Sequence, residues 1–442
     1  MNFLLIIVCL AILGSLLVSS CAQACTTIII GRKRTDNSGI LHAHIEDMGI
    51  KAAGKLWFSE SEKRWEPYVN VPYVMVKQPS EAIAYWASGN STGNGLGVSE
   101  QKLAYDDVLV GFNANGVALS CNWCYSREKN ELQTGIRRYA MRQRLLEQAS
   151  TARKGVELIG GWIDKYGQAD WGGLSFQLSD DSEAWVVDTT SHQWVARKVR
   201  ENEVACVANR FTIGDDFDIC SKNLILHAKE NGWYNGESKF NFAEVYSLPE
   251  RRKVRYDYER EERVKTLLSS DKLTINNVLQ AMEDRYEGTN LFKLPDNNQE
   301  VWEAESAKKN IPRPICTNLA QSFFAVSHSN LQHDDVFFIG LGTPGYSGVV
   351  PVFRNSTNVD EHFFSNREGV SSAWDMFKKI QMHTDADFMK LAELEKKKWF
   401  DFNSQTVANA EKLAVISADL RLRREYTLER SKEIIVAAEE SL

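Results

Sequence analysis

The hydrophobic pattern opens on an uncharged apolar run from Phe3 to Val18, too short for a comfortable membrane span. It ends in small residues, and Ala22-x-Ala24 has the spacing that signal peptidases accept. Residues 1–24 are therefore expected to be a signal peptide. Beyond it the periodicity changes. Thr26–Gly31 is β-branched and closed by glycine, which predicts a buried strand. Asp36-Asn37-Ser38-Gly39 is a turn, and Ile40–Ile45 resumes as a strand to complete a hairpin. Alternation along that strand puts His42, His44 and Glu46 on one face and Ala43, Ile45 and Asp47 on the other.

Trp57–Val76 is aromatic without clean alternation and is expected to be irregular, and Gly89–Gly97 is a glycine-rich loop lacking the lysine of a phosphate cradle. Val108–Trp123 reads as strand, Asn-Gly turn, strand. Leu132–Tyr166 has helical spacing. Strand-like runs follow at Leu174–Leu178, Ala184–Val187, Trp194–Val199 and Val204–Ala208. Helical spacing returns at Lys222–Glu230, Asp257–Leu268 and Ile275–Tyr286, then strands at Phe323–Val326 and Val336–Leu341, the latter ending in Gly-Thr-Pro-Gly. From Ser371 onward the chain is helical, highly charged and free of proline. Strands grouped in hairpins argue for antiparallel sheets covered by helices, an α+β fold, rather than a doubly wound parallel sheet.

With 442 residues, one large domain plus an appendage and two domains both fit the length. The formal net charge of -7 lacks the basic surplus of a nucleic-acid binder. No second apolar run approaches membrane length, so no stable membrane insertion is expected once the leader is gone. Cys9 and Cys21 lie in the leader, leaving Cys25, Cys121, Cys124, Cys206, Cys220 and Cys316. An exported setting permits disulfides, and Cys206 with Cys220 would close a short loop. Cys121-x-x-Cys124 has no second such pair, which weakens a zinc reading. His42 and His44 resemble half of a metal site, yet no third ligand lies at a persuasive spacing, so neither metal nor cofactor is expected. Asn90-Ser-Thr92 and Asn355-Ser-Thr357 are glycosylation sequons, informative in a eukaryotic source.

The candidate chemistry lies at Ala22-Gln-Ala-Cys25-Thr-Thr27. Cleavage after Ala24 would make Cys25 the first residue, carrying a thiol nucleophile and a free amine able to act as its base. An unperturbed α-amine titrates at roughly 7.7–8.0, so a useful fraction is free base near neutrality. A competing feature is Val18-Ser-Ser-Cys21, which resembles a bacterial lipoprotein processing site and would tether the chain through Cys21.

Several segments, in order, resemble the cysteine dipeptidases of the N-terminal nucleophile hydrolase superfamily, the group that includes the secernins. They are Cys25-Thr-Thr-Ile-Ile-Ile-Gly31, Ala43-His-Ile-Glu-Asp47, Gly111-Phe-Asn-x-x-Gly-Val-Ala-Leu-Ser120, Ala208-Asn-Arg-Phe211, Pro314-Ile-Cys-Thr317, and Gly340-Leu-Gly-Thr-Pro-Gly345 through Val349–Val352. The similarity covers roughly Cys25–Phe353. It implies a four-layer αββα sandwich of two antiparallel sheets, with a catalytic domain at 25–365 and a helical C-terminal region at 366–442 packed on it. That region suits either a cap on the sandwich or the seam of a homo-oligomer.

The resemblance implies hydrolysis of dipeptides or short peptides, with Cys25 as nucleophile and its own α-amine as general base. Asp47 suits a carboxylate that holds the ammonium, and His44 a contact to substrate or to Asp47. Ile45 departs from the family's asparagine, which puts one polar contact in doubt. Asn122 and Asn209, at strand ends, suit oxyanion donors; losing one such donor typically costs ~10²–10³ in rate. Arg260 and Arg263 sit three apart on a helix, and Arg260 is the better placed to favour a thiolate. The implied setting is the secretory pathway: extracellular, periplasmic or lysosomal. Two alternatives stay open: a related hydrolase of N-acyl amides, of the penicillin or bile-acid acylase kind, and a non-catalytic exported binding lipoprotein.

Overall fold

A computed structural model describes residues 25–48, 53–64, 66, 68–71, 74–90, 108–130, 134–252, 254–295, 312–328, 335–354, 358–364 and 371–442. The expected leader at residues 1–24, the glycine-rich stretch beyond Asn90 and the second sequon lie outside the described residues. The first half of the chain supplies β1 (Thr26–Ile30), β2 (Ile40–Asp47), β3 (Gly54–Ser59), β4 (Glu62–Lys63), β5 (Tyr68–Val71), β6 (Val74–Lys77), β7 (Glu81–Ala82), β8 (Tyr85–Asn90), β9 (Val108–Asn113) and β10 (Ala118–Cys124). Two helices follow, α1 (Arg138–Gln148) and α2 (Ala152–Tyr166), then β11 (Gly173–Ser179), β12 (Ala184–Thr189), β13 (Trp194–Lys198), β14 (Val204–Val207) and β15 (Ile219–Cys220). Next come α3 (Leu224–Glu230), α4 (Phe242–Tyr246), α5 (Arg255–Leu267) and α6 (Ile275–Met282). The strands β16 (Ala320–His328), β17 (Val336–Leu341) and β18 (Val350–Phe353) precede α7 (Ala373–Ala386), α8 (Phe388–Ile416) and α9 (Leu420–Ser441).

Two large antiparallel sheets form. One has the order β14-β1-β2-β16-β17-β18, the other β15-β13-β12-β11-β10-β9-β8-β3. Side-chain alternation explains the layering. On β16, Phe324 and Val326 join Trp86, Phe112 and Ala118 of the other sheet in a core between the sheets. Phe323 and Ala325 face outward instead, against Val264 of α5 and Val278 and Leu279 of α6. On β10, Leu119 and Cys121 face outward against Met141 and Leu145 of α1. The result is helix, sheet, sheet, helix. The expected α+β sandwich forms.

The helical tail packs on one edge of this sandwich. Trp374 and Phe377 of α7, Trp399 of α8 and Ile434 of α9 bury against Tyr346, Val350 and Val352. The turn after β17 owes its shape to two glycines, Gly342 and Gly345, each at φ +83°, where an L side chain is strained.

Three expectations need correction. Trp57–Val76 is not irregular, for β3 pairs along β8 with Trp57 opposite Ala87, and β5 pairs with β6. These short strands are fixed by their partners rather than by their own alternation. Cys206 and Cys220 do not bridge. Both are free thiols, one in each sheet. The helical span Leu132–Tyr166 is two helices, because Thr151 caps a new one by accepting from the Lys154 amide.

Candidate active site

Cys25 sits at the head of β1, where Thr26 pairs with Ile45 of β2, so the sulfur lies beside the end of β2 that carries Glu46 and Asp47. It is buried, at 1% exposure. Burial first, then the charges of Glu46 and Asp47, push its thiol well above the usual range; a hydrogen bond from the Asp47 backbone and the charge of Arg142 pull the other way. With its nitrogen still in the peptide bond to Ala24, this cysteine is a poor thiolate.

The two carboxylates are held differently. Asp47 Oδ2 accepts from Arg313 Nη2 at 2.9 Å and Oδ1 from the Thr317 hydroxyl at 3.0 Å. Burial still raises its pKa against the Arg313 charge. Glu46 accepts from His44 Nε2 at 2.9 Å and lies 3.7 Å from Arg142 Nη1. Burial works to raise Glu46 as well, but Arg142 and His44 together hold it below its ordinary value. The site thus contains one firmly charged carboxylate and one that burial pushes toward neutrality.

Arg260, on α5 and fully buried, ties the strand ends together. Nη1 donates to the Cys25 carbonyl at 3.2 Å and to Thr26 Oγ1 at 3.1 Å. Nη2 donates to the Ala208 carbonyl at 3.1 Å and to Asn209 Oδ1 at 2.9 Å. Asn209 is left-handed, at φ +63°, a conformation asparagine tolerates better than most residues, and its Nδ2 donates to the Trp123 carbonyl at 3.1 Å. Arg263 points elsewhere and pairs with Asp284.

His44 and Asn122 meet on Thr27. The Thr27 hydroxyl lies 2.7 Å from His44 Nδ1 and 2.6 Å from Asn122 Oδ1, and Asn122 Nδ2 donates to the Val207 carbonyl at 3.2 Å. Asn122 therefore braces β1 and β14 from the opposite sheet. The polar contacts continue through the sandwich. Ser120 and Gln177 link Thr27 to His42, His42 bonds Ser179, and Ser179 bonds His328, which meets Asp335, itself paired with Arg354.

The fold thus gathers Cys25, His44 and Asp47 around the head of β1, with Asn122 reaching Thr27 from the facing sheet and Arg260 of α5 joining Cys25 to Asn209. Sequence reasoning missed Glu46 as a first neighbour of the sulfur, although it shares a face with His44. It also missed Arg142, one arginine among five between 137 and 153, and Arg313, which directly precedes the Pro314–Thr317 motif. A groove of about 1000 Å³ between α6 and α8, lined by Asn277, Glu283, Phe388 and Lys396, includes none of these residues.

A sheet-on-sheet α+β frame with a buried cysteine at a strand head, flanked by carboxylates and a guanidinium, is the architecture of a cysteine-dependent amide hydrolase. Residues 24–269 match peptidase family C69, and the chain belongs to this family of cysteine dipeptidases. It is 24% identical over 378 residues to a probable dipeptidase of Latilactobacillus sakei, spanning 77% of this chain and 76% of that one. It is likewise 24% identical over 380 residues to a probable dipeptidase of Salmonella dublin, spanning 75% of this chain and 81% of that one. The crystal structure of a mutant conjugated bile acid hydrolase from Clostridium perfringens aligns over 78% of this chain and 95% of that one, at 12% identity and a TM-score of 0.38. Among the described residues no helix is long and apolar enough to cross a membrane.

Proposed function

We propose that the protein is an exported cysteine dipeptidase whose mature form begins at Cys25, with the thiolate of that residue as nucleophile and its own α-amine as general base. The supporting observation is the set of charges around the sulfur. Glu46 and Asp47 oppose a lone thiolate, but the same two carboxylates favour an ammonium. Freed from Ala24, the amine can take the thiol proton as sulfur attacks the scissile carbonyl, and the carboxylates stabilise the ammonium so formed. That ammonium then protonates the departing amine. Water attacks the acyl-thioester with the amine again as base, and the free acid leaves.

The remaining residues take positions around this step. Arg260 fixes the backbone of Cys25 and orients Asn209, which donates to the oxyanion. Asn122 holds Thr27 and so positions β1 beside the sulfur. Asp47 anchors the ammonium, and His44, turned to the sulfur side by Thr27 and Glu46, contacts the substrate. A free substrate amine would find the negative potential of Glu46 and Asp47 favourable, which suits dipeptides over N-acyl amides. Export, to an extracellular, periplasmic or lysosomal setting, follows from the leader that must be removed.

The deciding experiment joins the mass of the mature N-terminus to activity on dipeptides and N-acyl amino acids. A chain starting at Cys25 that cleaves dipeptides, and loses turnover as Cys25→Ala while staying folded, is expected. A lipid-bearing start at Cys21 with no hydrolysis, full activity without the sulfur, or cleavage confined to N-acyl substrates would each overturn the proposal.

A further inference from the structure

The sulfur of Cys25, a ring nitrogen of His44 and a carboxylate oxygen of Glu46 lie within 4.8 Å of one another, all three side chains buried. The sequence supplied His42 and His44 without a third ligand; strand pairing brings the missing donors to His44 from β1 and from two residues along β2. We propose that this triad is an inhibitory binding site for a thiophilic divalent cation, Zn²⁺ above all.

The donor set is one thiolate, one imidazole and one carboxylate, a combination that suits zinc and does not suit calcium or magnesium. Tetrahedral zinc holds sulfur at about 2.3 Å and nitrogen or oxygen at about 2.0–2.2 Å, so its ligand atoms stand about 3.3–3.6 Å apart. His44 and Glu46 approach to 2.9 Å and must part by about half an ångström to admit an ion, while the sulfur stands within 4.8 Å of both and closes on it. The ring of His44 also has the outer support a metal-bound histidine needs. With Nε2 given to the metal, the ring proton resides on Nδ1 and is donated to Thr27 Oγ1, 2.7 Å away. The Thr27 proton in turn goes to Asn122 Oδ1 at 2.6 Å. Asn122 cannot turn away, because its Nδ2 is committed to Val207.

The proton balance is simple. Binding releases the thiol proton to solvent, the metal-bound imidazole carries its proton on Nδ1, and Glu46 exchanges a hydrogen bond for a metal bond. The fourth position takes water, or the Cys25 amine once that residue is first in the chain. A metal-bound sulfur is not available as a nucleophile, so occupancy silences the enzyme reversibly.

The test uses metal-free protein titrated with Co²⁺ alone and then Zn²⁺ alone. One equivalent of Co²⁺ should give a sulfur-to-cobalt charge-transfer band in the near ultraviolet, which Zn²⁺ abolishes by displacement. Cys25→Ser should lack the band, while His44→Ala, Glu46→Gln and Thr27→Val should each weaken binding ~10-fold or more. Zn²⁺ should stop hydrolysis and a chelator restore it. A band that persists unchanged in His44→Ala and Glu46→Gln, or no band at all, overturns the site; should His44→Ala misfold, the near-isosteric Glu46→Gln decides alone. This outcome is separable from the proposed function, since the band reports metal on sulfur whether or not Cys25→Ala abolishes turnover.

Discussion

At the scale of single residues, the site is built from buried charges, and their pairing decides what a substitution does. Arg313 gives its guanidinium to Asp47 with both side chains wholly buried. Replacing it by methionine leaves a carboxylate without its cation, a change that typically costs 3–5 kcal/mol when one partner of a buried pair is removed. Arg313→Met should therefore lower the unfolding free energy measured by denaturant titration by about that amount, and adding Asp47→Asn should recover part of the loss. Equal instability of the single and double variants would show that Arg313 acts through packing. The sulfur obeys similar logic. A thiol whose ionisation burial and two carboxylates oppose should react slowly with iodoacetamide at neutral pH while Cys25 remains joined to Ala24. Blocking leader removal with Ala24→Trp should thus give an inactive protein with a sluggish thiol, and processing should raise both activity and alkylation rate together.

At the scale of elements, β12 carries a titration that the whole fold should feel. Asp188 is buried, and burial pushes it up to about 6, although Ser175 and the amides of Ile213 and Thr212 pull it back down. Because the folded state holds this proton more tightly than the unfolded chain, folding is favoured below the ordinary aspartate range and loses that advantage as pH rises to about 6. A gap of about two pH units corresponds to on the order of 2–3 kcal/mol. Asp188→Asn should gain stability relative to the natural chain by up to that amount between pH 4 and pH 7, read as the pH dependence of the difference in urea midpoints. A flat difference would mean that Asp188 ionises normally.

The elements also show what was legible in the sequence. The hairpin Thr26–Asp47, the pair Val108–Cys124 and the terminal helices follow from alternation and helical spacing alone. Trp57–Val76 did not, because a strand held by its neighbour need not alternate. The same division runs through the site. Cys25, Asp47 and Asn209 stand in motifs with a strand and a turn around them, so their neighbourhood was foreseeable. Arg142 and Arg313 come from a helix and a connection far along the chain, and their pairing with Glu46 and Asp47 is decided by how α1 and the segment before β16 pack on the sheets. Asn122 is readable as a residue of the second strand of its hairpin, yet its amide's direction depends on Val207 across the sandwich, which no local pattern encodes.

At the scale of the molecule, the C-terminal helices are part of the sandwich rather than an accessory. Trp399 is completely buried and meets Phe377 edge-on at 5.6 Å, in the same cluster as Val350 and Val352. Emptying that position should cost about 3–5 kcal/mol, the usual range for a large aromatic truncated in a core. Trp399→Ala should therefore unfold earlier in denaturant, in a single transition that takes the surroundings of Cys25 with it. Two separate transitions would instead mean that residues 371–442 fold as an independent unit.

The row of polar contacts from Glu46 through Thr27 and His42 to Asp335 works as an index between the two sheets. Oily faces can slide over one another by a few tenths of an ångström with little penalty, whereas a one-notch slip here would strand half a dozen donors and acceptors at once. The same contacts set where β1 lies against the facing sheet, and with it where the sulfur stands relative to Arg260 and Glu46.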